Sequence, residues 1–180
     1  MTSNSTFAVL LGGTLEIDDR VLALMQGARV IAADGGMRHA QALGVLPEVW
    51  VGDFDSTPAG LSEFHAATPR MPFPAEKNFT DGELAIEQAI ERGTRLVLIG
   101  SFGGERTDHA LSHLLQAVTL AERGFDVVLT SGLEEAVPLL PGSRMLDLPE
   151  RSLFSVIAFT ALTGLSLAGA KYPLDSADIA

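Results

Sequence analysis

Arg29-Val-Ile-Ala-Ala-Asp-Gly-Gly36 decides the fold. A run that is apolar at every position from Val30 to Ala33 ends in an acidic residue and two glycines, and a segment of helical period follows over 35–43. A strand with apolar residues on both faces needs cover on both sides, which a parallel sheet between helical layers supplies. The same unit recurs on either side of it. Phe7-Ala-Val-Leu-Leu11 reads as a strand before a helix at 18–26, and Val49-Trp-Val51 as a short strand before a helix at 58–67. A stronger helix at 81–92 leads to the strand Arg95-Leu-Val-Leu-Ile99, and a long helix at about 107–123 leads to Asp126-Val-Val-Leu-Thr130. Strand and helix in alternation predict an α/β fold, a parallel sheet flanked by helices in the Rossmann-like manner.

After Ser131-Gly132 the rhythm changes, punctuated by Pro138, Pro141-Gly142 and Pro149. Arg144–Leu148, Leu153–Thr160 and Leu165–Tyr172 are strand-like, with turn residues between them. The reading is therefore an α/β domain over 1–132 and a smaller antiparallel β domain over 133–180. So short a β segment is marginal alone in water, so it is expected to be incomplete or to pack on other protein.

Hydrophobic residues make up 47% of the 180 and charged residues 19%, enough apolar surface for a substantial core. Twelve Lys and Arg stand against 23 Asp and Glu, a formal charge of −11, which disfavours nucleic acid and anionic membrane as partners. An anionic substrate on such a chain calls for a divalent cation to reconcile the charges. The absence of cysteine excludes disulfides, thiolate catalysis and Cys-ligated zinc. With no basic, apolar leader and no run of spanning length, the chain is expected to be soluble and cytoplasmic.

Ligands of open α/β sheets bind at the carboxyl ends of strands, so polar residues there are the candidates. Gly12-Gly13 ends the first strand and suits close approach of backbone amides to phosphates. Asp34 precedes Gly35-Gly36 and also fits a helix N-cap. Asp53 and Asp55, two apart on an extended segment, project to one side; at about 7 Å and an effective dielectric near 20 they repel by roughly 2 kcal/mol. A bound Mg²⁺ turns that repulsion into attraction. Thr80-Asp-Gly-Glu83 matches a capping box, placing Asp81 in the first helical turn. Lys77, one of two lysines, precedes that helix; Arg106, Asp108 and His109 follow Gly103-Gly104. His39, His65 and His113 read as ordinary helix-face residues. Neither dinucleotide-fingerprint nor Walker A spacing occurs.

Taken in order, Ala33-Asp-Gly-Gly36, Pro47 with Val51-Gly-Asp-Phe-Asp-Ser56, Lys77 with Thr80-Asp81 and Ala85, and Gly103-Gly104 with Arg106 and Asp108-His109 resemble the thiamine pyrophosphokinase family. The resemblance implies an α/β domain followed by a β-sandwich domain, a homodimer with ATP and thiamine bound between subunits, and transfer of a diphosphate from ATP to thiamine with release of AMP. Asp53, Asp55 and Asp81 are then the Mg²⁺ ligands. Lys77 and Arg106 meet the phosphates and, with Asp81 and Asp108, form the catalytic set. Gly12, Gly13, Asp34, Gly35, Gly36, Thr80 and His109 line the nucleotide and substrate site. Three features depart from the family pattern: Asn78 stands where Asp is common, Glu105 separates Gly104 from Arg106, and the family's chain continues beyond a segment like Lys171-Tyr-Pro-Leu174 into a Ser-Asn motif. The last departure is the family-based reason for expecting an incomplete C-terminal domain.

Two other readings compete. Asp53-Phe-Asp-Ser-Thr57 fits the Asp-x-Asp-x-Thr pattern of haloacid dehalogenase-type phosphatases, with Asp53 as covalent nucleophile, although no further acidic pair follows between 100 and 132. A non-catalytic thiamine- or nucleotide-binding protein would keep the crevice and lose the chemistry.

Overall fold

A computed structural model describes residues 5–54, 59–74, 78–104 and 106–179. They fall into two compact units, Met1–Ser143 and Arg144–Ala180. In the first, β1 (Thr6–Leu10) is the middle strand of a seven-stranded sheet. On one side of it lie β2 (Arg29–Ala33), β3 (Val49–Gly52) and β4 (Arg70–Pro72). On the other lie β5 (Arg95–Ile99), β6 (Asp126–Thr130) and β7 (Glu135–Ala136). Every pairing from β4 to β6 is parallel, with Val9 beside Ile31 on one side and Leu98 on the other. Only β7 runs antiparallel, placing Ala136 opposite Leu129.

The helices are α1 (Asp19–Met25), α2 (Arg38–Leu43), α3 (Ala59–Phe64), α4 (Asp81–Ile90) and α5 (Thr107–Glu122). Successive side chains of β1 point to opposite faces and build two cores. Phe7, Val9 and Leu11 pack with Ala85, Ile86 and Ala89 of α4 and with Ala117 and Leu120 of α5. Ala8 and Leu10 pack with Val21 and Met25 of α1, and with Met37, Ala40 and Leu43 around α2. Full burial of each larger side chain contributes about 1.5–3 kcal/mol, so the double cover is what fixes the sheet. Local signals set the helix ends. The Asp18 carboxylate accepts from Val21 N at 2.8 Å, and Gly44 closes α2 in the left-handed conformation at φ +67°.

The sequence reading and the structure differ in six elements of this unit and the next. The segment expected as one helix over 35–43 divides into a 3₁₀ turn, Asp34–Met37, and α2. β4 was not anticipated because it is three residues long and bracketed by Pro69, Pro72 and Pro74; proline is tolerated there because β4 is an edge strand. β7, two residues long, carries no periodicity to read.

In the second unit β8 (Leu162–Leu167) and β9 (Leu174–Ile179) form an antiparallel pair with an irregular register. The strand expected at 165–172 is thus partly the hairpin's turn. Arg144–Leu148 and Leu153–Thr160, expected as strands, contain none, because neither pairs with a neighbouring strand that could satisfy its backbone groups. No helix among the described residues is long and apolar enough to cross a membrane.

Candidate active site

β1 leads to β2 on one side of the sheet while β5 lies on its other side, so the strand order reverses direction between β1 and β5. In open α/β sheets a crevice opens at that reversal, beyond the carboxyl ends of the two strands. The loops there are 11–18 after β1 and 100–106 after β5, and they are laced together. Leu11 N donates to Ile99 O at 2.7 Å, Gly13 N to Gly100 O at 2.9 Å and Thr14 N to Phe102 O at 3.0 Å. Gly13 is required by this close approach, since a Cβ on it would come within 2.4 Å of the Gly100 and Phe102 carbonyl oxygens. Gly12 has open space where its Cβ would be.

The next strand end brings Asp34, at φ +38°, into the 3₁₀ turn. Gly36 sits so close beneath β1 that a Cβ would meet Leu10 O at 2.2 Å. Trp50 of β3, fully buried, donates its indole N–H to Asp34 O at 2.9 Å. It also packs edge-on to Phe54 at a centroid separation of 5.2 Å. Phe54, between Asp53 and Asp55, has φ +62°, a conformation unfavourable for an aromatic side chain and held here by packing. Two non-glycine residues in the left-handed region at neighbouring strand ends are the kind of stored strain that functional sites display. Asp34 Oδ1 lies 3.6 Å from where a Cβ of Gly52 would be, so the Asp34 carboxylate stands beside the residue preceding Asp53.

Thr80 and Glu83 form the reciprocal capping box expected for α4: Glu83 N donates to Thr80 Oγ1 at 3.2 Å and Thr80 N to Glu83 Oε2 at 2.7 Å. The box opens α4 at Asp81 and sets that turn against β1 and α5. A Cβ on Gly82 would lie 3.1 Å from Leu11 Cδ2 and 3.4 Å from His113 Nε2. Arg106 and Asp108, both exposed, grip each other through two hydrogen bonds of 2.9 and 2.6 Å. Those bonds, and then the guanidinium charge, hold the Asp108 carboxyl down to about 2. His109 lies one residue further, its ring 6.4 Å from that of His113. A groove of about 470 Å³ runs from Glu83 and Asp108 along α5 past Leu111, Ser112, Leu115, Gln116 and Thr119.

Gly12, Gly13, Asp34, Gly35, Gly36, Asp53, Thr80, Asp81, Arg106, Asp108 and His109 therefore all lie at or just beyond strand ends or helix starts of the α/β unit. Asp55 and Lys77 lie outside the described residues. Among the described residues no group of three or more His, Asp or Glu forms a metal-binding cluster. The candidate donors are carboxylates alone, a hard-oxygen set that fits Mg²⁺ and does not select a softer metal.

Sequence reasoning passed over Arg38 and read His39 as an ordinary helix-face residue, whereas its ring reaches the turn after β1. Arg38 Nη2 donates to the carbonyls of both Gly12 and Gly13, the latter at 2.8 Å, and His39 Nε2 lies 2.9 Å from Gly13 O. Burial lowers the His39 pKa, the Gly13 carbonyl opposes that shift, and the Arg38 charge adds to it. The imidazole is thus neutral at pH 7, with Nε2 carrying the proton that Gly13 O accepts. His113 plays the matching part on the other loop, its Nδ1 3.3 Å from Ser101 O.

The fold defines an α/β protein whose candidate polar residues stand at strand ends and helix starts around the sheet's reversal point, where ligands of this architecture bind. Comparison with known proteins makes this particular. Residues 22–129, more than half the chain, match the family model of the thiamin pyrophosphokinase catalytic domain. The chain belongs to that family. It is 28% identical over 153 residues to thiamine pyrophosphokinase of Bacillus subtilis (strain 168), covering 83% of this chain and 72% of that one. The solved structure of the B. subtilis thiamine pyrophosphokinase superposes with a TM-score of 0.79 at 24% identity, over 97% of this chain and 84% of its own. A thiamin pyrophosphokinase family protein from Enterococcus faecalis gives 0.74 at 24% identity, over 98% and 84%. These likenesses support the fold.

Proposed function

We infer that this protein transfers a diphosphate group from ATP to thiamine, giving thiamine diphosphate and AMP. One observation carries the reading: the family match spans 22–129, which includes the turn at Asp34, the Asp53 strand end, the α4 start and the 100–109 loop. The phosphatase reading of Asp53 and the non-catalytic reading have no comparable support.

The reaction is an in-line displacement. The thiamine hydroxyl oxygen attacks the β-phosphorus, the bond from that phosphorus to the α,β-bridging oxygen breaks, and AMP leaves with the bond's electrons. Such a reaction asks the protein for positioning and charge neutralisation rather than covalent chemistry. Asp53, Asp55 and Asp81 would hold Mg²⁺, which supplies neutralisation of the polyphosphate charge. Lys77 and Arg106 contribute positive charge from the chain itself. Asp81 and Asp108 are the two carboxylates placed to be tested as acceptors of the hydroxyl proton, and Arg106 makes Asp108 a weak base. Its part is to aim Arg106. The remaining proposals are an α/β catalytic domain over 1–132, a β-rich domain over 133–180, a homodimer, and a cytoplasmic location.

The test is chromatography of a reaction containing ATP, thiamine and Mg²⁺. AMP and thiamine diphosphate should appear in equal amounts, neither without thiamine. Asp53→Asn should lower turnover by about 100-fold, a loss of about 3 kcal/mol of transition-state stabilisation. Phosphate release from ATP independent of thiamine, with a phosphoaspartate at position 53, would favour the phosphatase instead.

A further inference from the structure

The Gly12-Gly13 turn is held from both sides. In the peptide joining Gly12 to Gly13, the carbonyl accepts from Arg38 Nη2 while the N–H donates to Gly100 O at 2.9 Å. In the following peptide the Gly13 carbonyl accepts from Arg38 at 2.8 Å and from His39 at 2.9 Å, and the Thr14 N–H donates to Phe102 O at 3.0 Å. Each peptide is planar, so bonds at its opposite edges make the turn a strut between α2 and the loop after β5. Amides spent in this way cannot also form an anion-binding nest. Of the run Leu11 to Thr14, only the Gly12 N–H stands outside the lacing. Capture of a polyanion at this strand end therefore falls to a side chain.

Arg38 has the properties required. Arg20, Arg29, Arg92, Arg95 and Arg106 each face a carboxylate at 2.5–3.3 Å. The acceptors of Arg38 among the described residues are backbone carbonyls: Gly12, Gly13 and, at 3.4 Å, Gly35. Carbonyls fix the guanidinium in place without cancelling its charge. A guanidinium has five N–H groups, and with Nη2 committed to Gly12 and Gly13, Nε and part of Nη1 remain to donate. The residue is exposed, so a ligand can reach it. It joins the turns after β1 and β2, in a chain of formal charge −11.

We propose that Arg38 is a nucleotide-binding residue of this site: its guanidinium, oriented by the Gly12, Gly13 and Gly35 carbonyls, takes the polyphosphate oxygens, and His39 is the positioning residue that anchors Gly13 beneath it. The identity of the polyphosphate as that of ATP rests on the diphosphate-transfer reading. A bidentate guanidinium–phosphate contact is among the stronger hydrogen-bonded pairs, and such a fixed group loses little freedom on binding.

The experiment titrates the full chain with inorganic triphosphate by calorimetry and follows the Arg38 Nε–H resonance by NMR. The Arg38 signal should shift on addition of triphosphate. Arg38→Gln, which keeps an amide donor for the carbonyls but no charge, should weaken triphosphate binding and raise the KM for ATP, each about tenfold. The KM for thiamine should stay within twofold, and Arg38→Lys should restore part of the affinity. An unmoved Arg38 resonance overturns the proposal, as does triphosphate affinity in Arg38→Gln within twofold of the original. So does a parallel rise in the KM for thiamine, the mark of a merely structural role. If Arg38→Gln does not fold, the resonance of the unaltered protein decides alone. Failure of that protein to make thiamine diphosphate sinks the transfer reading, whereas triphosphate binding still judges Arg38.

Discussion

Asp108 and Arg106 show how a single pair can redistribute roles within the site. The carboxylate lies within 2.9 and 2.6 Å of two guanidinium nitrogens, and its pKa falls from 3.8 to about 2, chiefly through those hydrogen bonds and further through the charge. The folded-state value is depressed, so the pair contributes in full above Asp's ordinary range and is lost as the pH falls through about 2. Removing the guanidinium in Arg106→Gln should raise the Asp108 titration midpoint from about 2 toward 3.8, read from its side-chain carbon shift by NMR; a midpoint that does not move means the pair does not persist in solution. High salt should act in the same direction, because both groups are exposed and screened. Asp34, Asp53, Asp81 and Asp108 were legible as candidates because each sits where a strand ends or a helix begins. Arg38 and His39 were not legible, since His39 meets Gly13 across 26 positions and nothing in the helical period of 38–43 marks that contact. Trp50 was hidden for the same reason: its bond to Asp34 O belongs to the packing of β3 under a turn, not to either local sequence.

Elements were readable to the extent that their signals are local. β2, β5 and β6 begin and end where the apolar runs do, and the capping box at Thr80 placed the start of α4. Thr80→Ala should destabilise the protein by about 1 kcal/mol, while Thr80→Ser should retain most of that, as measured by urea denaturation. An alanine variant as stable as the original means that the cap is not holding the start of α4. The glycine turns yield a sharper contrast. Gly13→Ala drives a methyl into two backbone carbonyls and should cost about 1–3 kcal/mol, whereas Gly12→Ala meets open space and should change stability by less than about 0.5 kcal/mol. Equal effects in the two variants contradict the lacing of the β1 and β5 loops. Illegible elements share a different cause. β4 and β7 exist only because a neighbouring strand offers a free edge, and the 144–160 segment lacks that neighbour despite its strand-like residues.

At the scale of the whole molecule the two units obey opposite rules. The first hides its apolar residues on both faces of a sheet, Phe7 through Leu10 being fully buried. In the second, Leu153 is 100% exposed, Met145 95%, Tyr172 76% and Ile157 67%. Isolated apolar side chains on a surface need no explanation, but so many within 37 residues are what the proposed homodimer would cover. The expected outcome of sedimentation equilibrium is a mass of twice 19.0 kDa, not weakened by salt, which screens the repulsion between two copies of charge −11. Leu153→Asp with Ile157→Asp should shift the equilibrium to the monomer while leaving the thermal unfolding of the α/β unit in place, since neither residue belongs to its cores. A mass of 19.0 kDa for the unaltered chain at tens of micromolar, or a dimer indifferent to both aspartates, assigns the exposed apolar residues of the second unit to something other than self-association.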